Sequence, residues 1–254
     1  MDASTSSGRT DLCDRLSTAA LLLARRFADG ATMWCLAPTA PEHARHVAVE
    51  FVHPVIMGKR ALPAVSVAGP DHIAHARSLV ESGDVLVAVS ALDDAVVREA
   101  LQRSPAWGLT TVWVAWDQAA DGVDGEHLDA GARGGSRTAG CADVVLVADG
   151  GPDARFDGRL VRLYHVIWEL THVCFEHPGL LRADEGCDDD VCVTCSDEGR
   201  LGEVLACDGG PDATVRTARG IERVDVSLVG DVVPDDLLLV HAGSALTLVG
   251  VSGR

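Results

Sequence analysis

Basic residues are in short supply: 21 Lys and Arg stand against 38 Asp and Glu, a formal net charge of −17. That balance excludes nucleic acid and anionic membrane surfaces as partners, because both would be repelled; protein partners and metal ions stay open. Long apolar runs are missing as well. The start, MDASTSSGRT, is polar, and the run Ala19 to Ala24 is far too short to cross a bilayer, so neither a secretory signal nor a membrane span is expected. A disulfide framework is also lacking, since Cys13, Cys35, Cys141 and Cys174 fall in apolar, helix-like or strand-like surroundings. A reducing cytoplasm is the expected compartment. Aromatics are scarce at 4 %, yet 47 % of the 254 residues are hydrophobic, enough for two cores in a soluble globular protein.

Residues 10–180 read as alternating strands and helices. Leu12 to Phe27 is amphipathic, with Asp29-Gly30 as its stop. Strand patterns follow at 32–37, 64–67, 84–90 (DVLVAVS), 110–115 and 143–147. Pro41 opens a helix to Val52, Asp71 and Asp93 are placed to cap two more, and residues 157–175 form a long last helix. Short apolar strands alternating with helices predict a parallel sheet covered on both faces, a three-layer α/β fold. The Gly- and Asp-rich stretch from about 117 to 140 is expected as a surface loop. The acidic run Asp184-Glu185-Gly186-Cys187-Asp188-Asp189-Asp190 marks residues 181–190 as a solvated linker.

On residues 10 to 180, the Gly83–Ser90 strand, the Ala-Asp-Val-Val pattern after Cys141 and the closing helix resemble a SIS (sugar isomerase) domain of the heptose phosphate isomerase group. The resemblance implies a metal-binding and acid/base site at His46, Glu50 and His165, with Glu50 and His165 as catalytic groups and zinc as the possible ion. The spacing of four sets His46 and Glu50 on one helix face, as joint ligation or proton transfer needs. It also implies pairing of subunits. Arg162 stands where the group has a Gln, and a cation there would oppose a bound metal. The loops expected to grip a phosphate, Leu36-Ala37-Pro38-Thr39-Ala40 and Ser90-Ala91-Leu92-Asp93-Asp94, lack the usual Ser and Gly; two carboxylates in the second would repel a phosphate. Loss of phosphosugar binding is the expected consequence. His43 is expected to face solvent, and the helix from Tyr164 to Phe175 is a candidate subunit interface.

Residues 191–254 have a strand rhythm with no helical period: LGEVLA at 201–206, a turn at Asp208-Gly209-Gly210, ATVRTA at 213–218, IERVDVSLV at 221–229, and Leu237 to Val240 running on to Leu246. Four or five short strands predict a small barrel of the OB type. It opens on Cys192-Val193-Thr194-Cys195, whose spacing lets both sulfurs turn toward one metal or toward each other. This cysteine, the string Val226-Ser227-Leu228-Val229-Gly230-Asp231-Val232, then Pro234 and Leu239-Val240-His241-Ala242-Gly243-Ser244-Ala245, resemble the HypC/HupF family of NiFe-hydrogenase maturation chaperones. The resemblance implies a carrier rather than a turnover enzyme. Cys192 and His241 would hold an iron bearing cyanide and carbon monoxide, received with a maturation scaffold protein and passed to the hydrogenase large subunit precursor. The family's cysteine follows the initiator Met and precedes a Pro-Gly; here it is internal, and Cys195-Ser196-Asp197 replaces that pair. Cys195 is an additional thiol that could ligate or resolve an oxidised Cys192. A zinc module using Cys187, Cys192, Cys195 and Cys207 is the competing reading of the same residues, and sugar-phosphate isomerisation is the alternative function for the whole chain.

Overall fold

The computed structural model describes residues 3–117, 140–148, 158–181 and 199–250. The chain divides into two compact units, Met1–Leu79 with Asp84–Leu101 and Thr110–Arg182, and Val80–Gly83 with Gln102–Leu109 and Ala183–Arg254. Residues 118–139, and the acidic run with Cys187, Cys192 and Cys195, lie outside the described residues.

Five parallel strands make the sheet of the first unit: β1 (Met33–Leu36), β2 (Ala64–Ser66), β3 (Val85–Ala91), β4 (Thr110–Trp116) and β5 (Val144–Ala148), in the order β2-β1-β3-β4-β5. The described helices are α1 (Ala3–Ala28), α2 (Pro41–Val52), α3 (His72–Leu79), α4 (Ala95–Trp107) and α5 (Arg159–Glu176). Every residue of β3 and β4 is buried. Their near-continuous apolar, β-branched runs suit a strand with neither face in water. Met33, Cys35, Val85, Val87, Val89, Val112, Val114, Trp116, Val144 and Leu146 alternate along their strands and share one core with Leu23, Phe27, Val47, Phe51, Tyr164 and Ile167 of α1, α2 and α5. Asp84 pins the sheet's lower edge: its carboxylate accepts from Thr32 N at 2.8 Å and from Trp34 Nε1 at 2.8 Å. The three-layer α/β architecture expected from the strand–helix alternation is the architecture found.

In this strand order the chain reverses direction of winding between β1 and β3. Open parallel sheets bind ligands in the crevice at such a switch point, outside the carboxyl ends of the strands. The loops after β1 and β3, and α2 that follows β1, border that crevice. Pro41 begins α2, where a missing N–H costs nothing.

The second unit holds a closed barrel, in the order β10-β8-β7-β6-β9, from β6 (Arg200–Cys207), β7 (Asp212–Thr217), β8 (Gly220–Asp225), β9 (Leu237–His241) and β10 (Ser244–Gly250). Val204, Ala213, Val215, Val224, Val226, Leu238, Val240 and Ala245 fill it. Glu203 of β6 is fully buried and accepts from Arg103 Nη1 at 2.7 Å and Trp107 Nε1 at 2.8 Å, both of the same unit. Such a carboxylate is tolerable only because its charge and lone pairs are met. One expectation is corrected. The third strand pattern, read to Val229, ends at Asp225, and residues 227–229 are a turn. Asp225 accepts from Ser227 N at 2.8 Å, and Val229 N donates to Val226 O at 3.0 Å, so these local bonds take the chain out of the ladder. Among the described residues no helix is long and apolar enough to cross a membrane.

Candidate functional site

Three side chains from α2 and α5 meet in the α/β unit. His46 Nε2 lies 3.3 Å from Glu50 Oε1 and 3.3 Å from His165 Nε2, and His165 Nε2 lies 3.4 Å from Glu50 Oε1. His46 and Glu50 are one helical turn apart on α2, so the same face carries both; α5 packs alongside and supplies His165. Their side chains are 40 %, 20 % and 45 % exposed, which leaves the cluster open to a small ligand. Among the described residues this is the cluster of metal-ligating groups whose ligand atoms fall within 4.8 Å of one another.

The triangle fits a divalent ion. Ligands about 2.0–2.1 Å from one zinc ion at tetrahedral angles stand about 3.3–3.4 Å apart. All three edges match that spacing, and two imidazoles with one carboxylate are a donor set that binds zinc or iron(II) and leaves positions for substrate. Arg162, the replaced fourth position, is exposed on α5.

Behind the triangle sits a polar chain. The Tyr164 hydroxyl lies 3.0 Å from His46 Nδ1 and 3.4 Å from His43 Nδ1. Tyr164 and His43 are buried, at 2 % and 7 % exposure. Burial, and then the Glu50 charge, push the Tyr164 phenol up to about 12. Its ring meets those of His43, His46 and His165 edge-on, with centroids 6.1, 5.2 and 5.4 Å away. The helical spacing of His43 and His46 suggested one exposed face. Instead α5 covers His43, and Tyr164 turns toward α2 rather than outward.

The loops bordering the crevice are already occupied. Asp94, not Asp93, caps α4: its Oδ1 accepts from Val96 N and Val97 N, each at 3.1 Å. Its other oxygen accepts from Thr39 Oγ1 of the β1 loop at 3.3 Å. The Ser90 hydroxyl is buried, accepting from Trp113 Nε1 at 3.0 Å and donating to Ala91 O at 3.0 Å. A carboxylate of the chain itself thus holds the helix N-terminal amides that would otherwise suit an incoming anion.

His172, further along α5, stands apart from the triangle. Its ring nitrogens face Trp168 O at 2.9 Å and Arg60 O at 3.0 Å. His241 ends β9 and flanks a two-residue hairpin in which Ala242 and Gly243 have φ of 47° and 81°. Both central residues in left-handed backbone mark a type I′ turn, which accounts for Gly243. Cys192 and Cys195 lie outside the described residues, so their relation to His241 rests on the sequence. Cys35 is buried, which raises its thiol pKa strongly, and the five described cysteines are unbridged.

No family model matches the chain, and no curated protein matches it. Among solved structures, the phosphoheptose isomerase GmhA from Neisseria gonorrhoeae is similar with a TM-score of 0.50 and 19 % identity, over 66 % of this chain and 90 % of that one. A phosphoheptose isomerase from Francisella tularensis is similar with a TM-score of 0.46 and 13 % identity, over 67 % of this chain and 93 % of its own. The first likeness shows a shared fold, the SIS-type α/β arrangement.

Proposed function

We propose that the α/β unit is a metal-binding, isomerase-type site for a sugar derivative, acting through His46, Glu50 and His165. The observation that carries this reading is the triangle of ligand atoms between two helices of a SIS-type fold. The reaction class is aldose–ketose isomerisation. Glu50 takes a proton from the hydroxyl-bearing carbon beside the carbonyl and returns it to the neighbouring carbon. As that C–H bond breaks and an enediol forms, His165 Nε2 supplies a proton to the carbonyl oxygen, and it takes a proton back from the neighbouring hydroxyl as the new carbonyl forms. A divalent ion on the three ligands would polarise that oxygen in place of the His165 proton. Asp94 beside Thr39 leaves little for a phosphate, so recognition falls on the polyhydroxylated part of the ligand.

Metal content, thermal stabilisation and isomerase assays decide it, with heptoses, hexoses and their phosphates before and after chelation. Stabilisation or turnover should be lost in Glu50→Gln. A wild-type protein that binds no divalent ion, and that millimolar sugar or sugar phosphate neither stabilises nor reacts with, would sink the reading.

A second reading, hydrogenase maturation, is favoured by the barrel. Arg200, which enters β6 eight residues after Cys192, pairs with Val240, the neighbour of His241. The chain bearing the thiol therefore joins the barrel beside that histidine. On this reading Cys192 and His241 carry an iron with cyanide and carbon monoxide ligands between a scaffold protein and the hydrogenase large subunit precursor. Iron, or the scaffold partner, should co-purify with the wild type and be lost in Cys192→Ala, whereas Cys195→Ala keeps it. Equal loading in Cys192→Ala and wild type would remove the assignment.

A further inference from the structure

We infer that Tyr164 and His43 hold His46 as its Nδ1–H tautomer, aiming the Nε2 lone pair at Glu50 and His165 in the metal-free protein. The purpose of this arrangement rests on the metal reading above. Neutral imidazole carries one proton, and the hydrogen bond made by one nitrogen decides what the other offers. The chain His46–Tyr164–His43 has two polarities. In one, His46 Nδ1–H donates to the Tyr164 oxygen and the Tyr164 hydroxyl donates to His43 Nδ1. In the other every bond reverses, and a His46 Nε2–H projects into the triangle, where a cation would have to displace it.

Ligation selects the first, because a ligating Nε2 carries no proton and leaves it on Nδ1, to be donated to the Tyr164 oxygen. His46 Nδ1 to the phenol oxygen, 3.0 Å, is an ordinary hydrogen-bond length. The contacts of His46 Nε2 with Glu50 and His165 are both 3.3 Å, and the third edge is 3.4 Å. With its proton on Nδ1, His46 offers Nε2 as an acceptor, to the His165 Nε2–H at 3.3 Å or to a cation that takes its place. Tyr164 and His43 are thus positioning residues: they touch no substrate and act through His46. Oriented this way, a ligating histidine binds metal more tightly than one free to switch tautomer.

Tyr164→Phe tests the hydroxyl alone, because the ring that packs against three histidines stays. Nitrogen-15 NMR of the imidazoles in metal-free protein, with His46 assigned by its loss in His46→Ala, should show an Nδ1–H tautomer in the wild type and a growing Nε2–H share in Tyr164→Phe. Cobalt(II) affinity, followed by its visible spectrum, should fall roughly 10–100-fold in Tyr164→Phe. A wild-type His46 in the Nε2–H form overturns the inference, as does a Tyr164→Phe protein with unchanged tautomer and affinity. If the wild type shows the Nδ1–H tautomer but takes up no cobalt, the positioning stands and the metal reading falls.

Discussion

Tyr164 shows how much a single residue's surroundings decide. Its phenol is buried against Glu50, and both burial and that charge disfavour the phenolate, which is why its pKa rises to about 12. The sign for stability follows. Between the unfolded value near 10 and the folded value, the unfolded chain has lost the proton that the folded chain keeps. This contribution is therefore fully present below about pH 10 and is lost as pH rises toward 12. The chain has one tyrosine, so tyrosinate absorbance reports this group alone. Spectrophotometric titration should give a midpoint well above 10, and Glu50→Gln should bring it down; an ordinary midpoint in the wild type would contradict the burial described. Helical spacing pairs His46 with Glu50 in the sequence, and only the resemblance to a SIS domain adds His165 to them. Tyr164 and His43 were not legible. A tyrosine in an apolar stretch reads as interface, and a histidine one turn before a site residue reads as solvated. Only the packing of α5 on α2 shows that they complete the cluster.

At the scale of elements, local rules hold where the decisive bonds are local. Asp71 caps α3, accepting from Ala74 N at 2.9 Å as its position predicts. The shift from Asp93 to Asp94 at α4 is a one-residue error with a chemical consequence, since Asp94 is the residue that also reaches Thr39. Strand order was not legible: a run such as VLVAVSA states burial on both faces but not which neighbour it pairs with. Asp94 separates two roles that one carboxylate combines here. Asp94→Ser keeps a capping oxygen and should cost a few tenths of a kcal/mol, whereas Asp94→Ala should cost about 0.5–2 kcal/mol. Urea unfolding distinguishes them. The serine variant also removes the negative charge between the two loops, so its thermal stabilisation by inorganic phosphate should exceed that of the wild type. No gain would mean that the loops' backbone, rather than the Asp94 charge, keeps phosphate out.

For the whole molecule, the question is whether two cores mean two tasks. The α/β core is built on β1 to β5 with α1, α2 and α5, and the barrel core on β6 to β10 and the turns between them; the two share no residue. Each holds its own proposed site residues, the triangle at α2 and α5 in one and His241, at the end of β9, in the other. Gly202 allows a perturbation confined to the second. A Cβ there would collide with Val215 Cγ1 and lie 3.2 Å from Val240 Cγ2 and 3.4 Å from Thr217 Cγ2, all in the barrel. Those branched side chains have no room to retreat in a closed interior, so Gly202→Ala should destabilise the barrel by about 1–3 kcal/mol through overpacking. The matching expectation is functional. Cobalt affinity at His46, Glu50 and His165 should match the wild type, while any iron held with Cys192 and His241 should be bound less well. Hydrogen exchange resolved by segment, together with both metal titrations on the same variant, checks the two halves at once. A parallel loss of cobalt binding would mean that the two chemistries share one cooperative structure, and that neither unit's function can be assigned without the other.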